Sequence, residues 1–207
     1  MSPMRISGVV VAILLFVGIL EIAGGFVSGS LALFSDVGHV FVDVTAQGVI
    51  FFGQWNPFRW KRLEPKAALT NGVLLVGVGL SFGFLGWQRL GEPKEVQPIL
   101  MTVFAFFGLG GNAVVVWLRG KGSRENISIW SGRLHAISDA LASLGLFVGG
   151  GYIILTQQFV VDAALTVGIA VLILLGAAKI ITDAWHMLWC SGECAKPHRF
   201  AHLDHRA

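Results

Sequence analysis

Residues 31–54 read LALFSDVGHVFVDVTAQGVIFFGQ. The stretch is long and apolar enough to cross a bilayer as one helix, yet it carries Asp36, His39 and Asp43. Ionisable side chains at the centre of a membrane helix cost roughly 2.5 to 3.5 kcal/mol each on insertion scales. Residues 134–145, LHAISDALASLG, repeat the central spelling: His39-x3-Asp43 in the first stretch, His135-x3-Asp139 in the second. Two apolar helices that each accept a histidine and an aspartate four residues apart point to a shared intramembrane site.

The rest of the chain supplies the helices around that pair. Of its 207 residues 55% are hydrophobic and 13% charged, with a mean hydropathy of +0.73. A soluble domain could not cover so much apolar surface with so few charges. Apolar runs of roughly 20 residues, the length needed for a hydrocarbon core of ~30 Å, recur at about 6–28, 31–54, 63–90, 99–118, 130–155 and 160–189. Turn signals separate them: Gly29-Ser30 as a tight hairpin, Asn56-Pro57, Gly91-Glu92-Pro93 and Gln157-Gln158. The expected fold is an all-α membrane protein of six transmembrane helices over residues 1–189, followed by a short tail at 190–207. The first run follows Arg5, lacks a small-residue cleavage site and is longer than a typical signal peptide, so it reads as a spanning helix.

Charge gives the orientation. Arg59, Lys61, Arg62 and Lys66 are expected in the loop between helices 2 and 3, and Arg119, Lys121 and Arg124 in the loop between helices 4 and 5. The opposite loops hold only Arg89 and Lys94, among Glu92 and Glu95. The positive-inside bias therefore places the N- and C-termini in the cytoplasm. Lys196, Arg199 and Arg206 in the tail agree. The net charge of +3 forms no basic stripe interleaved with aromatics, so no nucleic-acid partner is expected.

Residues four apart on a helix are stacked neighbours, with Cβ atoms ~5 to 6 Å apart. An imidazole and a carboxylate so placed can reach one ion at ~2.0 to 2.2 Å. Two helices then supply four ligands, His39, Asp43, His135 and Asp139, the tetrahedral number zinc prefers, and two aspartates neutralise one divalent ion. Helix 2 descends and helix 5 rises, and both motifs fall at or somewhat inside the midplane. Asp36 shares the face of His39 and Asp43, as a waypoint for the ion or as an acceptor for backbone groups. Glu21 in helix 1 is a second deep acid, while Gln47, Ser131 and Ser143 extend the polar faces. Glu21, Asp36, Gln47 and Ser143 thus form a candidate ion pathway. Asp162, near the outer interface, reads as an acid favoured by the dipole of its own helix. Lys179 and Asp183 are expected to pair with each other. Gly79/Gly83 and Gly145/Gly149 read as close helix packing.

These residues resemble the cation diffusion facilitators. The likeness runs through Gly29-Ser30-Leu31-Ala32-Leu33-Phe34-Ser35-Asp36-Val37-Gly38-His39 with Asp43, through Arg89-Leu90-Gly91-Glu92-Pro93, and through residues 134–145, with Asp162 where the family often has an acid. The resemblance implies a six-helix transporter that exports divalent metal in exchange for protons, with His39, Asp43, His135 and Asp139 as the transport site. Two histidines and two aspartates resemble the zinc-preferring members, with cobalt or cadmium as companions. It also implies a multi-pass protein, of a bacterial inner membrane, assembling as a homodimer through the membrane region, with no permanently bound cofactor and no enzymatic activity. The family's cytoplasmic domain after helix 6 has no counterpart in the eighteen residues after Trp189, and the loop at 120–126 lacks the histidines of many animal members.

The tail carries Cys190, Cys194, His198 and His202 at steps of four, then His205. As a continuous helix these would be too spread for one ion, but Pro197 allows the segment to fold back on a metal. A disordered tail with incidental ligands is the alternative, and the cysteines form no disulfide framework. Two other functions fit the membrane histidines less well. A haem-binding electron-transfer subunit using His39 and His135 would not need an aspartate four residues after each, and a metal-dependent membrane enzyme would need an open coordination position. A transporter of the same fold selective for Fe2+ or Mn2+ remains a further alternative, though those metals favour more oxygen ligands.

Overall fold

A computed structural model describes residues 3–38, 40, 44, 57–120 and 127–189, with side chains described for 8–38, 40, 44, 65–118, 137, 139–186 and 188–189. All regular structure among them is helical. The elements are α1 (Pro3–Ser28), α2 (residues 31–38, with 40 and 44 also helical), α3 (Pro57–Gly91), α4 (Pro98–Gly120), α5 (Ile127–Thr156) and α6 (Val160–Trp189). Five contain apolar spans long enough to cross a membrane: Gly8–Ser28, Pro65–Gly91, Pro98–Leu118, Asp139–Thr156 and Val160–His186. Their large apolar side chains face outward as well as inward, as a lipid environment requires; Phe16 is 63%, Trp87 71% and Leu155 85% exposed.

The turn from α1 to α2 is made by two residues, as the sequence indicates. Gly29 takes a φ of +70°, the left-handed conformation open to glycine. Its N–H donates to the Gly25 carbonyl at 3.0 Å, closing α1. Ser30 then starts α2: its Oγ accepts the Leu33 N–H at 3.2 Å, the geometry of a helix N-cap. Phe26 and Phe34 meet edge to face across this hairpin, centroids 4.9 Å apart.

The helices form two groups. α3 packs along α6, while α4 packs against α5 and α1; α5 touches α6 more lightly. The glycines belong to this packing. A Cβ on Gly79 would lie 2.8 Å from Leu174, and one on Gly86 would crowd Val167 and Thr166, so glycine lets α3 and α6 approach closely. Gly149 does the same for α5 against Leu165 of α6. Leu33, Met101, Leu146, Ile153 and Ile173 fill the interior.

Three expectations change. Arg59, Lys61, Arg62 and Lys66 lie on α3, which begins at Pro57, and not in a loop. Proline suits the first turn of a helix, where its missing N–H costs nothing. All four lie within the first ten residues of α3, at the end of that helix opposite Arg89. Likewise Arg89 occupies the last turn of α3. Lys179 and Asp183 are both exposed, and among the described residues no ion pair joins them. A cation preceding an anion by four residues is the weaker order on a helix.

The three connections at the outer end are tied together. The Gln97 N–H from the α3–α4 connection donates to the Ser28 carbonyl at 2.8 Å. Arg89 Nη1 donates to the Gly29 carbonyl at 3.0 Å and to Asp162 Oδ2 at 3.2 Å. Asp162 was expected to serve its own helix; it stands in the first turn of α6, but its carboxylate accepts from Ser30 Oγ and from the amides of Leu31 and Ala32 at the start of α2.

Candidate metal centre

Apart from the outer tie and Thr166 of α6, the buried polar side chains among the described residues lie on α1, α2, α4 and α5. Glu21 on α1, Asp36 on α2, Asn112 on α4, and Asp139 and Ser143 on α5 are all buried. Asn112 Nδ2 donates to Ser143 Oγ at 2.9 Å. The Ser143 hydroxyl donates in turn to Asp36 Oδ2 at 3.5 Å, the long edge of hydrogen bonding. A polar chain therefore crosses from α4 through α5 to α2.

Glu21 enters this chain from α1. It is fully buried, and among the described residues neither carboxylate oxygen receives a hydrogen bond. The Asp36 carboxyl lies within hydrogen-bonding reach and the Asp139 charge acts on Glu21 as well. Space for the group comes from α4: a Cβ on Gly108 would stand 2.5 Å from Glu21 Oε1.

Of the four predicted ligands, Asp139 is placed on α5 with its side chain buried beside these acids. His135 lies one turn earlier on the same helix, and its side chain is outside the described residues. His39, Asp43 and Gln47 lie outside the described residues, as do Cys190, Cys194, His198, His202 and His205 of the tail. Among the described residues, no three His, Cys, Asp or Glu side chains are grouped as one ion would require. Because α5 begins at Ile127, His135 and Asp139 stand ~12 to 18 Å along it at 1.5 Å per residue. From residue 31, His39 and Asp43 stand the same number of residues along the sequence.

Asn112 was not anticipated. Its signal in the sequence is a lone amide within an otherwise apolar span, Gly110-Gly111-Asn112-Ala113-Val114. The pairing of Arg89 with Asp162 was also missed, since nothing in either local sequence names a partner 73 residues away.

The fold and buried acids define a multi-pass membrane protein with a polar interior site. Residues 7–189 match the family model described as the cation efflux transmembrane domain, and the chain belongs to that family, one of membrane transporters. Among its relatives is the cadmium, cobalt and zinc/H(+)-K(+) antiporter of Bacillus velezensis, 33% identical over 82% of this chain and 58% of the relative. The zinc transporter ZitB of Escherichia coli is 32% identical over 80% of this chain and 56% of its own length. The metal cation efflux system protein CzcD of Cupriavidus metallidurans is 29% identical over 75% and 52%. The chain thus spans little more than half the length of these relatives.

Proposed function

We propose that the chain carries a divalent metal cation, zinc foremost, out of the cytoplasm in exchange for protons. The observation that carries the reading is the gathering of Glu21, Asp36 and Asp139 inside one apolar helix group. Three buried carboxyls are tolerable together only if cations or protons occupy the space among them. Relatives named for zinc, cadmium and cobalt transport, one of them as an antiporter, favour the same assignment.

In this reading His39, Asp43, His135 and Asp139 hold the ion tetrahedrally, and Glu21, Asp36 and Ser143 line its way, with Gln47 continuing that polar face. Imidazole and carboxylate bind metal only when deprotonated, so protons compete for the same groups. Metal and protons are therefore alternative occupants of one site. The protein works in a bacterial inner membrane, as a homodimer joined through its membrane helices.

Purified protein in proteoliposomes tests this with a panel of divalent ions, with and without a pH gradient. Zinc uptake coupled to proton movement is expected, and Asp139→Ala should abolish it. Normal zinc-dependent proton flux in that variant would refute the site.

A further inference from the structure

We propose that Asp162 is a positioning residue for metal transport: from α6 it caps the amino terminus of α2, the helix that leads to His39 and Asp43. The proposal rests on the transport site just described.

The first amides of a helix have no partner within it. In α2 those of Leu31 and Ala32 donate to Asp162 Oδ2 at 3.0 Å and Oδ1 at 3.3 Å, and that of Leu33 donates to Ser30 Oγ. Ser30 Oγ in turn donates to Asp162 Oδ1 at 2.5 Å. Ser30 is the local cap, and Asp162 completes it from 130 residues away. A carboxylate also suits the positive end of the helix dipole. The cap is buried, with Asp162 1% and Ser30 0% exposed.

The geometry gives this cap a mechanical meaning. α6 is paired with α3, and Arg89 at the end of α3 holds both the Asp162 carboxylate and the Gly29 carbonyl. The α3–α6 pair thereby grips the start of α2, whereas α1, α4 and α5 surround the buried acids. A helix is stiff along its axis, so a shift or rotation at residue 30 is carried to Asp36, six residues on. Fixing that end fixes the register in which Asp36 of α2 meets Ser143 of α5, just ahead of His39 in the sequence.

A cap and a simple ion pair with Arg89 make different demands. Asparagine carries no charge and keeps one acceptor oxygen, so it can serve Ala32 and Ser30 as Oδ1 does, but its NH2 cannot accept from Leu31 and Arg89 as Oδ2 does. We therefore expect Asp162→Ala to raise the zinc KM about tenfold, within the range of a lost cap, while the maximal rate per folded transporter stays within about twofold. Asp162→Asn should recover only part of that loss, to about fivefold above the parent protein, and Arg89→Gln should stay within about threefold of it. Transport in proteoliposomes, normalised to monodisperse protein, reads all three. An unchanged KM in Asp162→Ala overturns the proposal, as does an Asn variant no better than Ala. If Asp162→Ala does not fold, Arg89→Gln decides: a near-parental KM supports the cap, and a tenfold rise refutes it. Asp139→Ala run in parallel separates the two readings, because normal transport there removes the metal site itself.

Discussion

Replacing Gly108 by alanine should separate stability from transport. Gly108 lies inside α4, where alanine is favoured over glycine by about 0.5 to 1 kcal/mol. Against this stands one close contact: the new Cβ would be 2.5 Å from Glu21 Oε1, with Glu21 Cδ at 3.5 Å and Ser143 Oγ at 3.7 Å. Comfortable contact begins near 3.5 Å, so the carboxylate must withdraw by about 1 Å. That atom ends a flexible side chain, and pushing a glutamate about 30° from its rotamer costs on the order of 0.5 to 1.5 kcal/mol. The terms nearly cancel, so the unfolding temperature should move by no more than about 4 °C. Transport should not be so tolerant, because the displaced carboxyl is the one that faces Asp36 and feels Asp139. A displacement of about 1 Å at a positioned group can cost up to ~100-fold in rate, and we expect a fall of about tenfold in zinc flux. Thermal unfolding in detergent and flux into proteoliposomes, measured on the same preparation, give both numbers. Full flux with unaltered stability would show that the position of Glu21 is immaterial to transport. A loss of several kcal/mol would show that Glu21 is wedged and cannot yield.

Asn112→Ala removes the hydrogen bond between α4 and α5 and should lower stability by about 0.6 to 1.5 kcal/mol in detergent unfolding, the range for one such bond between membrane helices. Gly79→Leu drives a side chain into Leu174 and Ile173 of α6; overpacking of this kind costs about 1 to 3 kcal/mol or more, seen as loss of monodisperse protein on size-exclusion chromatography. For orientation, a cysteine replacing the exposed Gln157, in a background with Cys190 and Cys194 changed to serine, should react with an impermeant maleimide on intact cells. The native Cys190 and Cys194 should react only after lysis; the reverse pattern would invert the topology.

Membrane character, the number of helices and the repeated His-x3-Asp spelling are all properties of short sequence windows, and they were legible without any structure. Burial of Glu21 and Asp36 could be anticipated too, since an acid within a long apolar run has nowhere else to go. Helix ends were less legible: Pro57 reads as a turn and begins a helix, because proline serves equally in both places. Which residues face one another is a property of helix packing, and packing depends on side chains far apart in the chain. Asn112 reaches Ser143, Gly108 makes room for Glu21, and Asp162 finds the amides of α2 only because α4 lies along α5 and α6 lies across the α1–α2 turn. The apolar stretch at residues 31–54 announced a helix bearing charge; the tertiary structure decided that this helix begins on the carboxylate of another, since backbone amides at a helix start take whichever acceptor the fold delivers.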